Sequence, residues 1–297
     1  MASCPAISII VPTWNNLAML KLCIKSIARH SRLPHQVVVH VNQGSDGTRQ
    51  WVRARGIEHT WTPRNVGICK AVNLAAYKCR AEYLVYLNDD MYVLPGWDVP
   101  LYQRLLPLAD AEPCYVSGTM IQAAPISPRA IRADYGPSAE RFREGRLLGD
   151  YRNRSLACDD WVGATWPPCC VHRKWWDQVG GYSEDMYPGF YSDLDFSMKL
   201  WRIGCRRFWG LGSSLVYHFG EKTTSLMRGP HNVNVKRARK MFLNKWGILP
   251  STFRRHYLQA GKPYQNLLSE PNGVELALWE RLRGLAVSVS PFHRRAA

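Results

Sequence analysis

The sequence has no apolar run long enough to span a bilayer. It has no C-x-x-C pair, and its nine cysteines are odd in number. A disulfide framework and a thiolate zinc site therefore both lack their usual signature. Reduced thiols in a cytoplasmic protein are the expectation. Cys169-Cys170 reads first as two small buried hydrophobes, before any metal-binding or nucleophilic role. The opening Met1-Ala2-Ser3-Cys4-Pro5 lacks the basic segment that starts a secretory signal. No internal repeat is visible. Acid is missing from one long stretch: between Lys222 and Ser269 there are ten Lys or Arg and no Asp or Glu.

What is present is apolar bulk and positive charge. Of 297 residues, 46% are hydrophobic, and the formal net charge is +16. The apolar share is enough for a sizeable core, in one large domain or two small ones. The charge implies an anionic partner: a nucleic acid, a membrane surface or a phosphorylated ligand. No aromatic RNA-binding signature and no zinc spacing favours nucleic acid.

Ile7 to Val11 is an apolar strand that Pro12 is expected to end. Leu17, Leu20, Ile24 and Ile27 have helical spacing, so Leu17 to Arg29 is expected to be a helix. Strands over Gln36 to Val41, Ile57 to Trp61 and Glu82 to Leu87 alternate with helices over Thr48 to Arg55 and Gly67 to Cys79. Such alternation with short links predicts parallel βαβ units. Beyond these, Ala124 to Leu156 reads as a long loop or flap. Trp161 to Val171 reads as a strand interrupted by Pro167-Pro168. Ser192 to Ile203 reads as a helix capped by Ser192 or Asp193. Ser213 to Phe219 reads as a strand, and the tail as helices near Val233 to Trp246 and Val274 to Ala286.

The sharpest feature is acidic. Asn88-Asp89-Asp90 follows the buried run Tyr83 to Leu87, and Asp193-x-Asp195 follows about a hundred residues later. The first group places oxygen ligands at the carboxyl edge of a sheet, where open α/β sheets bind their ligands. Hard divalent cations that hold diphosphates want such ligands. The second group can supply a base.

Several motifs then occur in one order. Ile9 to Asn16 (IIVPTWNN) is an opening strand and loop, and Val41 to Thr48 (VNQGSDGT) is a second strand and turn. Arg64-Asn65-Val66-Gly67 follows, with Asn73 downstream. Asn88-Asp89-Asp90, Gly180-Gly181-Tyr182, Gly189 to Asp195 (GFYSDLD), Val216-Tyr217-His218 and Phe242-x-x-Lys245-Trp246-Gly247 complete the series. From Ile7 to Gly247 the chain resembles family 2 of the inverting nucleotide-sugar glycosyltransferases, which have the GT-A fold. Three positions depart from that family's usual residues: Asn42, Asn88 and Ser192.

The resemblance implies a GT-A-like, mainly parallel central sheet flanked by helices, with a basic helical C-terminal extension. It implies a nucleotide-sugar half over residues 1–112, an acceptor-binding half over 113–228 and the extension over 229–297. Pro12, Thr13, Asn15, Asn42, Asn65, Gly67, Asn73, Asn88 and Asp89 are the implied nucleotide-sugar contacts. Asp90 and His218 are the implied ligands of a divalent Mn²⁺ or Mg²⁺. Asp193 is the implied base and Asp195 an implied acceptor contact, to which the aromatic cluster adds Trp161 as a candidate for stacking on an acceptor sugar. The donor implied is a UDP- or dTDP-sugar, and the acceptor a hydroxyl of a glycan or lipid-linked glycan.

Each residue also has a plainer role. Asp193 can be a helix cap, Asn15, Asn65 and Asn73 can cap turns, and His218 can be a core histidine. Among Trp161, Trp166, Trp175 and Trp176, stacking on sugar rings competes with core packing. The tail's Lys236, Arg237, Arg239, Lys240, Lys245, Arg254 and Arg255 can meet a membrane surface, with Trp246, Phe253 and Tyr257 at the interface. They can also meet an acidic acceptor, or solvent. Competing functions are a nucleotidyltransferase, a catalytically silent fold of the same family and a basic binding module. A nucleotidyltransferase usually has a Gly-rich basic loop straight after its first strand, where this chain has Pro12-Thr13-Trp14-Asn15-Asn16.

Overall fold

The computed structural model describes residues 4–125, 127–220 and 231–272. In chain order the elements are β1 (Ile7–Trp14), α1 (Leu17–His30), β2 (His35–Asn42), α2 (Thr48–Ala54), β3 (Glu58–Thr62), α3 (Ile68–Ala76), β4 (Tyr83–Tyr86), β5 (Met91–Val93), α4 (Asp98–Leu105) and β6 (Cys114–Gln122). Then come β7 (Ile131–Arg132), α5 (Glu144–Arg152), β8 (Trp161–Val162), β9 (Cys169–His172), α6 (Arg173–Val179), α7 (Ser192–Arg202), β10 (Arg207–His218) and α8 (His231–Trp246).

One sheet runs in the order β3-β2-β1-β4-β9-β6-β10-β5, with β7 beside β6 and β8 beside β10. Strands β3, β2, β1 and β4 pair in parallel. Beyond β4 the sheet is mixed: β9 is antiparallel to both β4 and β6, while β6 and β10 are parallel. The alternation of strands and helices in the first half produces the parallel part, because each crossover helix covers a face of the sheet. The burial of Ile9, Ile10, Val11, Val38, Val39, Val41 and Val85 reflects that double cover.

Strand β1 continues through Pro12 to Trp14 rather than ending at the proline. Its pairing with β4 stops at Ile10 opposite Tyr86, whereas its pairing with β2 continues to Trp14 opposite Asn42. Pro12 therefore sits where one side of the strand is already an edge, and its missing N–H breaks no ladder. Helix α1 buries Leu20 and Ile27 of the expected stripe, with Cys23 beside them and Leu17 and Ile24 half-buried, and its first N–H, of Leu17, donates to Asp46 Oδ2 at 2.9 Å.

The segment from Ala124 to Leu156 is not one loop. It contains β7, a 3₁₀ turn over Ala139–Arg141 and α5. A second apolar cluster, including Tyr92, Ile121, Tyr135, Leu147 and Tyr217, holds it to the sheet. Its anchors are few and widely spaced, so hydrophobic periodicity does not reveal it. Trp161 to Val171 forms two separate strands, β8 and β9, with the Pro167-Pro168 cis peptide between them. Elements β5, α4 and β6 have no counterpart in the expectations.

The basic tail is anchored. Asp195, fully buried at 0% exposure, accepts from Trp246 Nε1 at 2.8 Å and pairs with Lys245 Nζ at 2.8 Å. Phe242 and Phe253 are fully buried, and Tyr257 packs edge-on against Trp201 at 5.4 Å. Trp246, Phe253 and Tyr257 thus face the protein body, not a membrane interface. Among the described residues no helix is long and apolar enough to cross a membrane. The expected helix from Val274 to Ala286 lies outside the described residues.

Candidate active site

A cleft of about 310 Å³ opens at the carboxyl ends of β1, β2 and β4. Pro12, Thr13, Trp14, Asn42, Asn65 and Gly67 line one end. Asn88, Asp89, Asp90 and His218 line its floor, and Trp166, Pro188, Phe190 and Asp193 the far wall.

The floor follows from strand pairing. Asn88, Asp89 and Asp90 turn the chain from β4 into β5. Strand β5 runs antiparallel to β10 with Met91 opposite His218, and Phe219 N–H donates to the Asp90 carbonyl at 3.1 Å. The pairing brings Asp90 Oδ2 to 3.3 Å from His218 Nε2, with both side chains nearly buried. Burial pushes Asp90 up, but the His218 charge and hydrogen bond outweigh it and hold the carboxyl below its usual range. Burial lowers His218, and the Asp90 charge overcomes this and raises it. The amide of Gln122 lies 2.7 Å from His218 Nδ1 and fixes the ring from behind. Burial, then the Asp90 charge, pushes Asp89 up to about 7, while Thr13 and Asn16 oppose the rise.

Asp193 stands in the first turn of α7. The N-cap of that helix is Tyr191, at φ 60°, and not Ser192 or Asp193. The Ser192 hydroxyl turns back to donate to the Gly189 carbonyl at 2.7 Å. The Asp193 carboxylate is thereby left for the cleft. Tyr182 Oη donates to its Oδ1 at 3.3 Å. Burial pushes Asp193 up to about 7, against the pull of Tyr182 and of the Arg254 charge. The Arg254 guanidinium lies over the Trp166 ring, 5.6 Å from its centroid.

The family description glycosyl transferase family 2 matches residues 8–161, which is more than half of the chain. The chain belongs to glycosyl transferase family 2. It is 26% identical over 226 residues to the O-antigen biosynthesis protein RfbC of Myxococcus xanthus, covering 72% of this chain and 17% of that protein. It is 25% identical over 257 residues to the uncharacterized protein y4gI of Sinorhizobium fredii (strain NBRC 101917 / NGR234), covering 80% and 27%. The chain thus spans about a sixth to a quarter of the length of these relatives. Among solved structures, S. aureus TarS 1-349 superposes with a TM-score of 0.52 at 16% identity, over 80% of this chain and 65% of that one. The same protein in complex with UDP-GlcNAc gives 0.52 at 15%, over 80% and 66%. At such identity the likeness shows the fold alone, which is GT-A-like.

Of the positions implied by the resemblance, this family 2 chain gathers Pro12, Thr13, Asn42, Asn65, Gly67, Asn88, Asp89, Asp90, Asp193 and His218 around one cleft. Four others stand away from it. Asn15 Oδ1 accepts from Ser45 N–H at 2.9 Å, so its side chain ties two loops together. Asn73 holds both backbone groups of Tyr182. Trp161 is 2% exposed, with Nε1 donating to Thr119 Oγ1 at 3.0 Å and its ring pressed on Gly210. Asp195 is enclosed by Ser183, Lys245 and Trp246. Trp161 and Asp195 are structural here because neither reaches the cleft. Trp175 and Trp176 are buried in the main core, and Trp166 alone of the four tryptophans lines the cleft. Sequence reasoning passed over Tyr182 and Gln122 as site residues. Tyr182 stands in the quoted Gly-Gly-Tyr turn, whereas nothing in the sequence singles out Gln122.

Gly67 has φ 80°, and a Cβ there would lie 2.7 Å from the Tyr187 ring. Both facts require glycine where the chain turns from the cleft wall into α3.

Proposed function

We propose that this chain transfers a sugar, with inversion, from a nucleoside-diphosphate sugar to a hydroxyl of a glycan or lipid-linked glycan during surface polysaccharide assembly. The observation that carries the reading is one cleft with the Asp90–His218 pair on its floor and the Asp193 carboxylate, near pKa 7, on its far wall. A general base works best when its pKa is close to the working pH. Asp193 accepts the acceptor's hydroxyl proton, and the Tyr182 hydroxyl orients its carboxylate. Trp166 and Phe190 offer apolar faces to a sugar ring. The likeness to an O-antigen biosynthesis protein supports the polysaccharide assignment, and the TarS complex with UDP-GlcNAc supports a sugar nucleotide.

Among the described residues no three acidic, histidine or cysteine side chains form a closed metal cage. A carboxylate and an imidazole 3.3 Å apart nevertheless fit Mn²⁺ or Mg²⁺, which take few protein ligands when a diphosphate completes the shell. Asp90 and His218 would hold it, and when bound it supplies Lewis-acid neutralisation of the leaving diphosphate. Residues 1–112 serve as the donor half, 113–228 as the acceptor half and 229–297 as a basic extension.

The test is release of nucleoside diphosphate from sugar nucleotides with lipid-linked or free glycan acceptors, with the anomeric configuration of the product read by NMR. Inversion is expected, with activity about 10²–10⁴-fold lower in Asp193→Asn and strongly reduced in Asp90→Ala through weaker diphosphate binding of about 10–100-fold. A retained configuration, or full activity in Asp193→Asn, would sink the reading.

A further inference from the structure

The C-terminal extension brings one cation to the far wall of the cleft. Arg254 belongs to the turn Phe253–Tyr257, which packs on α7 through Phe253 and Tyr257, at 6.0 Å and 5.4 Å from the Trp201 ring. Helix α7 carries Asp193 in its first turn. The half-buried Arg254 lays its guanidinium over Trp166, which lines the cleft together with Asp193. Its Nε is buried and, among the described residues, meets no hydrogen-bond acceptor. Two other arginines stack on tryptophan with a carboxylate at the guanidinium: Arg104 over Trp209 with Asp160 at 2.6 Å, and Arg206 over Trp201 with Glu270 at 2.7 Å. Arg49 over Trp61 has no such partner, but neither residue lines the cleft. Arg254 has none among the described residues either, and it stands at the reacting end.

Burial lowers Arg254, and Tyr191 and the Asp193 charge oppose this. A guanidinium nevertheless stays charged in a protein, and a buried donor without an acceptor costs stability. A local cost of this kind at a cleft wall points to function. Around Asp193 the other facing groups are neutral. Burial, then the charge of Asp193 among lesser causes, pushes up Cys69 on α3 and Cys169 on β9, each to about 12. Burial likewise pushes Tyr86 on β4, Tyr115 on β6 and Tyr182 well above their ordinary values. The floor's Asp89, Asp90 and His218 act on one another, and Asp195 turns to Lys245 and Trp246. Arg254 is therefore the cation that acts on Asp193 among the described residues.

We propose that Arg254 is a positioning residue of the reaction: a fixed cation, supplied by the extension, that holds Trp166 in the cleft wall and favours the ionised form of Asp193. Without it the buried carboxyl would keep its proton further into the alkaline range, and a smaller share of the protein would present a base at neutral pH. The cation attracts only the ionised carboxylate. Its contribution to stability is therefore present above the pH at which Asp193 loses its proton and absent below it. The extension, on this account, is part of the catalytic centre and not an appendage to it.

The proposal rests on the reading of Asp193 as the base, and the experiment separates the two. Thermal unfolding from pH 5 to pH 9 compares Asp193 with Asp193→Asn in the wild-type chain, in Arg254→Met and in Arg254→Lys. The pH at which the asparagine's advantage levels off reports Asp193 without any substrate. It is expected to lie about one unit higher in Arg254→Met, and near the wild-type position in Arg254→Lys, which keeps the charge. At pH 5, where Asp193 is protonated, Arg254→Met is expected to unfold no earlier than the wild type, because the unpaired donor is gone. Arg254→Gln is a second neutral variant should methionine prevent folding. In sugar transfer the same shift is expected as a rate–pH profile displaced upward, with about a fivefold loss at pH 7. A levelling point that stays in place in the neutral variants, or one that moves equally in Arg254→Lys, would overturn the role of Arg254. A levelling point that moves while the rate–pH profile does not would instead remove Asp193 as the base, and the part of Arg254 in the reaction with it.

Discussion

Asn73 brackets Tyr182. Its Oδ1 accepts from the Tyr182 N–H at 2.9 Å, and its Nδ2 donates to the Tyr182 carbonyl at 2.9 Å. Tyr182 in turn donates through Oη to Asp193. A residue on α3 therefore sets the candidate base at one remove. Asn73→Ala is expected to lower kcat with little change in the donor's KM, and to cost about 1–3 kcal/mol of stability through two unpaired backbone groups. Steady-state kinetics with urea unfolding checks this. A KM effect without a kcat effect would count against it.

Asp193 gives a pH dependence of definite sign. Its folded pKa of about 7 lies above the ordinary carboxyl value of 3.8. The folded state therefore binds the proton more tightly, and this group's contribution to stability falls as pH rises from the unfolded value through about 7. Asp193→Asn is expected to raise Tm more at pH 8 than at pH 5. Activity of the wild type should rise with pH through about 7, as ionisation makes the base, and the asparagine variant should lose about 10²–10⁴-fold in kcat. A wild-type rate that falls through that range would contradict the assignment.

Asp90 and His218 are expected to act as a pair. Asp90→Ala and His218→Ala should each weaken Mn²⁺-dependent binding of a nucleoside diphosphate by about 10–100-fold. The double variant should be little worse than either single one, because half a pair binds almost as poorly as none. Calorimetric titration with and without EDTA measures this. Additive losses would separate the two residues.

Asp195 predicts stability rather than chemistry. Asp195→Ala leaves Trp246 Nε1 without an acceptor and Lys245, 31% exposed, without its partner. A loss of about 2–4 kcal/mol is expected, discounted for the water that reaches Lys245. Limited proteolysis should then cut first near α8. An unchanged unfolding midpoint would remove Asp195 from that structural role.

Much of this was legible in the chain. Apolar runs and their helical alternation gave β1 to β4 and α1 to α3 to within a few residues, because both faces of a parallel strand must be apolar. The cleft's floor was legible as well, since Asp90 and His218 belong to motifs that carry an order. What escaped depends on contacts distant in sequence. Strand β6 is a nine-residue buried element, yet its neighbours β9 and β10 lie far along the chain. Asn15, Asn73, Trp161 and Asp195 have the right residue types at motif positions. Only their partners Ser45, Tyr182, Thr119 and Trp246 reveal that they build the site and do not face it. The place of Arg254 was invisible for the same reason: a sequence names the guanidinium but not the ring beneath it.

The single sheet has a mechanical meaning. The strands that end at Trp14 and Asn42 and the strand that ends at His218 belong to one hydrogen-bonded ladder. Neighbouring strands keep a spacing of about 4.8 Å, so the ladder acts as a ruler between the Asn42 end of the cleft and its Asp90–His218 floor. The loops above the sheet can therefore change length or sequence without altering the span between the two ends of the cleft.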